Sequence, residues 1–323
     1  MQISPVIKAE AASDLRQDVF KISLSLCIYP AVASFLSSTI LTVFSFYSGI
    51  YGEDLAKAFM QSSFYPIYQV LITLIPLVLC FGALCIVTGR KFTTLIFKTQ
   101  TDKKTSTLLF FSGSIAIPLT IAASLISQRI LNSIGANINS IDIPKGAYAT
   151  VLFILAHVII APIFEELIFR FIILERLRRY GDLFAVISSA LFFALLHSSF
   201  QSYLPSFIAG IIFSLAAIYT GSVLISILLH FLNNALSVLM LLLLGALSPS
   251  ICDLIYIAVA GILLIVSLSA FFYLHKKDPL LFEFKFDGKA LTTGRKTTLL
   301  LFSFSSLVFI VFSLSMAVSS AFL

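Results

Sequence analysis

Residues 159–174 read IIAPIFEELIFRFIIL, and this stretch sets three charged side chains inside a run of apolar ones. The charged residues are Glu165, Glu166 and Arg170. A charge at bilayer depth costs at least about 2–3 kcal/mol, so such residues persist where they face a protein interior, pair with one another or take part in chemistry. The stretch therefore predicts a membrane helix with a functional polar face.

The rest of the chain has the composition of a membrane protein. Of its 323 residues, 59% are hydrophobic and 11% are charged, and the mean hydropathy is +1.06. Soluble domains carry about 25% charged residues, so a water-soluble domain is excluded. We expect an all-α, polytopic helical bundle in the membrane with about eight or nine transmembrane helices. The candidate spans lie near 21–48, 64–88, 107–128, 147–175, 182–198, 203–220, 222–246, 251–275 and 297–321.

Two expectations concern where helices begin and break. The first twenty residues contain Glu10, Asp14, Arg16 and Asp18, which indicate an exposed or interfacial tail. The fourth span is long and contains Pro162, which cannot donate a backbone hydrogen bond. A kink or break just before the two glutamates is therefore expected.

Basic residues predict the orientation of the chain. Lys and Arg are concentrated in segments 8–21, 90–104, 176–179 and 276–296, which a nine-span topology puts on one side of the membrane. The other side holds Lys57, Arg129 and Lys145. The positive-inside rule then predicts a cytoplasmic amino terminus and an external carboxyl terminus. The net charge of +6 comes from these loops, and basic loops beside membrane spans usually contact anionic lipid. Nucleic acid is therefore not an expected partner.

Helical spacing separates the roles of the two glutamates. Glu166 and Arg170 are four residues apart and share one face, whereas Glu165 points about 100° away. This spacing predicts a structural ion pair between Glu166 and Arg170, and it leaves Glu165 as the reactive carboxylate. The alternative is that all three residues simply hold helices together.

Two later spans add polar groups at similar helical spacing. The sequence FFALLH, residues 192–197, puts Phe193 and His197 on one face. The sequence HFLNN, residues 230–234, puts His230 and Asn234 on one face. Either histidine alone is typical of a hydrogen bond between membrane helices.

The depths of these groups favour one shared site. At about 1.5 Å per helical residue, Glu165, His197 and Asn234 each lie about 18–22 Å from the basic loops. Three separate helices would thus bring polar side chains to one level of the membrane.

The three motifs together resemble those of a known family. E-E-x-x-x-R at 165–170, F-x-x-x-H at 193–197 and H-x-x-x-N at 230–234 are similar to the motifs of the CPBP intramembrane proteases. That family includes CAAX prenyl endopeptidases and bacteriocin-processing or immunity proteins. The resemblance covers roughly residues 150–240, and Phe171 stands where many members carry glycine.

The resemblance implies a role for each motif residue. Glu165 and His197 would activate a water molecule, while His230 and Asn234 would donate hydrogen bonds to the developing oxyanion. Members are often labelled metalloproteases, and Glu165, His197 and His230 are the ligands that could hold a zinc ion. The chain has no H-E-x-x-H motif, and a metal-free mechanism explains Asn234 equally well. Both possibilities stay open at this point.

Domain organisation and function follow from the same resemblance. We expect a membrane region at 1–145 with about three helices, a catalytic core at 146–248 with about four, and a second membrane region at 249–323 with about two. The expected activity is an intramembrane endopeptidase of a bacterial cytoplasmic membrane, acting on membrane-associated or lipidated peptides or proteins. The alternative is a non-catalytic scaffold or bacteriocin-immunity protein. CAAX-processing relatives act on cytoplasmic substrates, whereas the charge rule sets the motif residues beyond mid-membrane, so the face of substrate access is left open.

Overall fold

The computed structural model describes residues 4–51, 54–91, 97–136, 146–284 and 288–322, and within them every regular element is helical. The α-helices are α1 Pro5–Leu26, α2 Ile28–Tyr51, α3 Leu55–Met60, α4 Tyr65–Thr88, α5 Lys103–Gly113, α6 Ala116–Ser133, α7 Ala147–Ile154, α8 Ala161–Glu166, α9 Glu175–Leu177, α10 Asp182–Leu196, α11 Phe200–Thr220, α12 Val223–Leu244, α13 Pro249–Lys277, α14 Thr293–Leu301 and α15 Phe304–Phe322. The prediction of an all-α fold is confirmed.

Eight helical stretches in the described part of the chain are long and apolar enough to cross a membrane. They are Pro5–Ile50, Tyr65–Thr88, Lys103–Ser133, Ala147–Tyr180, Phe200–Thr220, Val223–Leu244, Ser250–Lys277 and Phe304–Phe322. The predicted fifth span is the shorter α10, whose 15 residues extend about 22 Å against about 30 Å of hydrocarbon. Its side chains are mostly buried, so α10 lies inside the bundle. The protein is an integral membrane protein.

The amino-terminal segment is a helix whose residues Glu10, Asp14 and Arg16 are exposed, as expected, while its other face packs against the bundle and buries Asp18. Helix α1 begins at Pro5, and the side chain of Ser4 caps it by accepting the Ile7 N–H at 3.3 Å. Leu15 and Val19 are fully buried. Apolar side chains recur between and after these charged residues at helical spacing, and they face the bundle.

The loops that the charge rule groups together meet at one end of the bundle. Asp18 is buried, and it accepts hydrogen bonds from Arg176 at 2.9 Å, from Arg179 and from the Tyr180 hydroxyl at 2.9 Å. The Lys296 ammonium donates to the Tyr180 carbonyl at 2.7 Å. Helix α1, the end of the helical stretch Ala147–Tyr180 and helix α14 are therefore joined here.

Two further contacts extend this end, which we call the basic face. The Gln100 N–H donates to the Thr220 carbonyl at 2.8 Å. The Tyr219 hydroxyl donates to the Phe282 carbonyl at 3.3 Å. The segments before α5, after α11 and after α13 thus lie on the same face as Asp18. Lys145, which the charge rule places on the other side, falls outside the described residues.

Replacing Asp18 with alanine is expected to destabilise the protein by about 1–3 kcal/mol, because hydrogen bonds from charged donors would be lost. Arg176 and Arg179 are 34% and 42% exposed, so water would partly replace the missing carboxylate. Thermal unfolding in detergent measures the change. Asp14→Ala is the control, since Asp14 is exposed on the same helix. Equal midpoints for the two variants would contradict this prediction.

The helix that carries both glutamates is continuous from Ala147 to Tyr180, and we call it the glutamate helix. Two π-helical segments, Leu155–Ile160 and Leu167–Leu174, flank α8. Of the expected kink or break at Pro162, the break does not occur. The wider turn just before the proline accommodates a residue that lacks an N–H, and π segments of this kind are frequent at functional sites.

One buried apolar cluster holds the bundle together around this helix. It includes Leu15 of α1, Leu77 of α4, Ile168 of the glutamate helix, Phe192 of α10 and Phe309 of α15. Helices from both chain ends therefore pack against the central segment. They hold the polar residues of that segment in a rigid apolar frame.

Candidate active site

A buried ion pair forms the base of the site. Arg170 Nη1 donates to Glu166 Oε1 at 2.7 Å, and neither side chain has any exposed surface. Arg170 Nη2 also donates to the Gly210 carbonyl at 3.0 Å. The guanidinium carbon lies 4.6 Å from the centre of the Phe193 ring and 5.4 Å from that of Phe213. The arginine is thus held by a carboxylate, a carbonyl and two aromatic faces.

A glycine allows this close packing between helices. At Gly210, an added Cβ would lie 2.9 Å from the Ala190 Cα of α10 and 3.2 Å from a Phe193 ring carbon. Helix α11 can therefore approach α10 only with hydrogen at this position. The approach brings the Gly210 carbonyl to Arg170.

His230 connects the two glutamates. Its Nδ1 lies 2.9 Å from Glu166 Oε1, and its Nε2 lies 3.6 Å from Glu165 Oε2. Because a carboxylate paired with Arg170 accepts hydrogen bonds, Nδ1 of His230 carries the hydrogen. Glu166 therefore fixes the orientation of the imidazole as well as neutralising Arg170. Helical spacing did not predict this contact.

Glu165 is the more accessible glutamate, with 14% of its side chain exposed. The 3.6 Å contact with His230 is longer than a hydrogen bond, and it is attractive when Nε2 of the ring also carries a hydrogen. The carboxylate thus keeps lone pairs that no buried guanidinium occupies. This arrangement differs from that of Glu166, which is fully enclosed.

A polar cavity of about 150 Å³ adjoins His230. Its lining includes Phe193 and His197 from α10, Asn234 from α12 and Tyr256 from α13. The structure thus brings His197, His230 and Asn234 to one cavity. Glu165 is not among the lining residues, but its carboxylate lies 3.6 Å from the lining residue His230.

His197 is at the carboxyl end of α10 and is exposed. Its Nδ1 lies 2.9 Å from the Phe193 carbonyl. Since a carbonyl oxygen only accepts hydrogen bonds, Nδ1 carries the hydrogen and Nε2 of the neutral ring keeps its lone pair. His197 is therefore equipped to accept a proton.

Asn234 ends a chain of amide hydrogen bonds. Its Nδ2 donates to the His157 carbonyl at 2.9 Å, while Asn233 Nδ2 donates to Asn234 Oδ1 at 3.2 Å. The Thr120 hydroxyl donates to Asn233 Oδ1 at 3.1 Å. The orientation of Asn234 is thus set by α6, α12 and the glutamate helix. One Nδ2 hydrogen of Asn234 remains for another acceptor.

Sequence patterns missed His157, Asn233 and Thr120 as members of this site. His157 lies in the same span as the glutamates, but its spacing to them follows no motif. Thr120 is a lone hydroxyl more than one hundred residues before Asn233, so no local pattern connects the two. Only the packing of α6 against α12 brings them together.

The three residues suggested as zinc ligands do not form a ligand set. Glu165 approaches His230, but among the described residues no group of three His, Cys, Asp or Glu side chains is arranged to hold a metal ion. The donor geometry therefore does not fit the zinc site that the sequence left open.

The comparisons with known proteins agree with the motifs. A family model described as type II CAAX prenyl endopeptidase Rce1-like matches residues 147–236. The matched segment contains all three motifs, so the resemblance is confirmed over this segment. Searches of curated proteins and of solved structures found no match.

Proposed function

We propose that the protein is an intramembrane endopeptidase that hydrolyses peptide bonds of membrane-associated or lipidated substrates. The observation that carries this proposal is the position of His230, which Glu166 orients and which faces both Glu165 and a polar cavity. An ionisable cluster of this kind inside an apolar bundle is costly and is typical of a functional site. The family match over residues 147–236 supports the same activity.

Glu165 and His197 activate the attacking water in this proposal. The Glu165 carboxylate has free lone pairs, and His197 offers the lone pair of Nε2. The two side chains come from different helices, Glu165 from α8 and His197 from the end of α10. In this proposal the water and the peptide carbonyl bind between them. A positioned base of this type contributes about 10²–10⁴-fold to a rate.

His230 and Asn234 donate to the oxyanion of the tetrahedral intermediate. When both ring nitrogens of His230 carry hydrogen, Nδ1 donates to Glu166 and Nε2 donates to the substrate oxygen. Asn234 contributes the Nδ2 hydrogen that is not bound to the His157 carbonyl. Donors fixed before the reaction stabilise the transition state because they need no rearrangement.

A non-catalytic scaffold or immunity protein is the second candidate. Its support is that Asn234 already donates to His157 and that Glu165 lies outside the cavity lining. The complete set of motif residues supports the enzyme instead. Cleavage measurements distinguish these two functions.

Replacing Asn234 with alanine is expected to lower kcat by about 10²–10³-fold with a small change in KM, because an oxyanion donor acts mainly in the transition state. The assay uses purified protein in lipid vesicles and a panel of quenched fluorescent peptides, each anchored by a prenyl group, an acyl chain or a single span. Leu239→Ala, an exposed position on the same helix, is the control.

Equal rates for Asn234→Ala and the wild type would remove Asn234 from the mechanism. Failure of the folded wild type to cleave any peptide of the panel would favour the non-catalytic candidate. Circular dichroism and thermal unfolding establish that each variant is folded before rates are compared.

A further inference from the structure

The helices that line the polar cavity each have one end at the basic face. Helix α10 begins at Asp182, whose carboxylate accepts a hydrogen bond from Arg178 at 2.7 Å. Helix α11 ends at Thr220, which is bonded to Gln100, and α12 begins directly after it. Helix α13 ends at Lys277. Helix α6 follows α5, which begins at Lys103 near the basic face, so α6 is reached through α5. Distance along these helices therefore measures depth from the basic face.

Most of the cavity lies far from the basic face. At about 1.5 Å per residue, His197 is about 22 Å from the start of α10, and Asn234 is about 17 Å from the start of α12. Ser206 is about 21 Å from the end of α11, and Tyr256 is about 31 Å from the end of α13. Phe213 and His230 are each about 10 Å from that face, so the cavity runs from about a third of the way through the roughly 30 Å hydrocarbon layer into its distal half.

The burial of the lining residues shows in which direction the cavity opens. On α11, Phe213 is fully buried, whereas Ser206, farther from the basic face, is half-buried. On α12, His230 is buried, whereas Ser237, farther from the basic face, is exposed. His197 at the far end of α10 is exposed as well. The floor thus faces the basic loops, and the mouth lies at the opposite end.

The chemistry of the lining limits what the cavity can hold. Its polar side chains are hydroxyls, amides and imidazoles, among them Thr120, Ser124, Ser206 and Asn233. None of the described lining residues is Lys, Arg, Asp or Glu. Capture of a free carboxyl terminus relies on arginine, lysine or a nest of backbone N–H groups. The lining instead suits an uncharged polar stretch of peptide.

We propose that substrate reaches the site from the end of the bundle opposite the basic face, and that the cleaved segment is an uncharged polar stretch within a chain. This inference rests on the proposed endopeptidase function and specifies its substrate. The charge rule makes that end the external one. The preferred substrates are then membrane or exported proteins whose cleavage site lies beside the outer surface.

A pair of reporters tests the direction of access. Each reporter is a single apolar span with the same segment of serine, threonine, alanine and asparagine, placed at one end or the other. An epitope tag placed before α1, the helix whose Asp18 lies at the basic face, defines the two sides in sealed vesicles. We expect at least about tenfold faster cleavage of the reporter whose segment lies opposite the tag, because polar peptide does not cross hydrocarbon readily.

Three outcomes separate this inference from the proposed function. Faster cleavage on the tagged side would overturn the inference and leave the endopeptidase intact. Cleavage of neither reporter would overturn both. A third reporter, with aspartate and lysine in the segment opposite the tag, tests the chemistry, and equal cleavage of charged and uncharged segments would refute that part.

Blocking the mouth gives an independent test. Ser237→Trp places a large ring at the exposed lining position of α12, and we expect it to slow cleavage of the opposite-side reporter by about tenfold or more. Leu239→Trp is the matched control, because Leu239 is exposed on the same helix outside the lining. Equal slowing in both variants, or none in Ser237→Trp, would contradict the position of the mouth.

Discussion

Replacing Glu165 with glutamine is expected to lower kcat/KM for peptide cleavage by about 10³-fold or more while the protein stays folded. Glutamine keeps the shape of the side chain and cannot accept a proton from water. Glu165 is partly exposed and its contact with His230 is long, so we expect loss of its charge to cost little stability. A large kinetic effect with a small structural effect is what distinguishes a catalytic carboxylate.

The measurement compares cleavage rates in vesicles with thermal midpoints in detergent. Glu175→Gln is the matched control, because Glu175 is an exposed carboxylate on the same helical stretch and pairs with Arg178. We expect the control to cleave at the wild-type rate. Full activity in Glu165→Gln would exclude Glu165 as the base.

Replacing Glu166 with leucine is expected to lower both stability and activity. Arg170 would keep a buried charge without a carboxylate, and breaking a buried pair in this way costs about 3–5 kcal/mol. His230 would also lose the acceptor that orients its ring. Folded yield and thermal midpoint should therefore fall together with the cleavage rate.

A double variant separates the two roles of Glu166. In Glu166→Leu with Arg170→Met, the unpaired charge is absent, so stability should recover relative to the single variant. Cleavage should stay low because His230 still lacks its carboxylate partner. Recovery of cleavage together with stability would mean that Glu166 has a purely structural role.

Features that repeat along one helix could be predicted from the sequence. The long apolar spans follow from composition, and spacing alone sets Glu166 beside Arg170, which the structure places 2.7 Å apart. The predicted span 182–198 also coincides with α10. Each of these depends on neighbours a few residues away.

Features that depend on the register between helices could not be predicted. The contact of Glu166 with His230 and the bond of Thr120 to Asn233 join distant segments. Each requires a particular rotation and depth of two packed helices, which spacing within one helix leaves undetermined. The burial of Asp18 was missed for a related reason: its partners Arg176 and Tyr180 lie more than 150 residues away, at the end of the glutamate helix.

The most direct test of the proposed chemistry is reporter cleavage by the wild-type protein in ¹⁸O-labelled water, read by mass spectrometry of the products. Hydrolysis predicts one ¹⁸O atom in the new carboxyl group of the amino-terminal fragment, at a rate that Glu165→Gln abolishes. Products without the label, or labelled products formed equally fast by Glu165→Gln, would contradict water activation by Glu165.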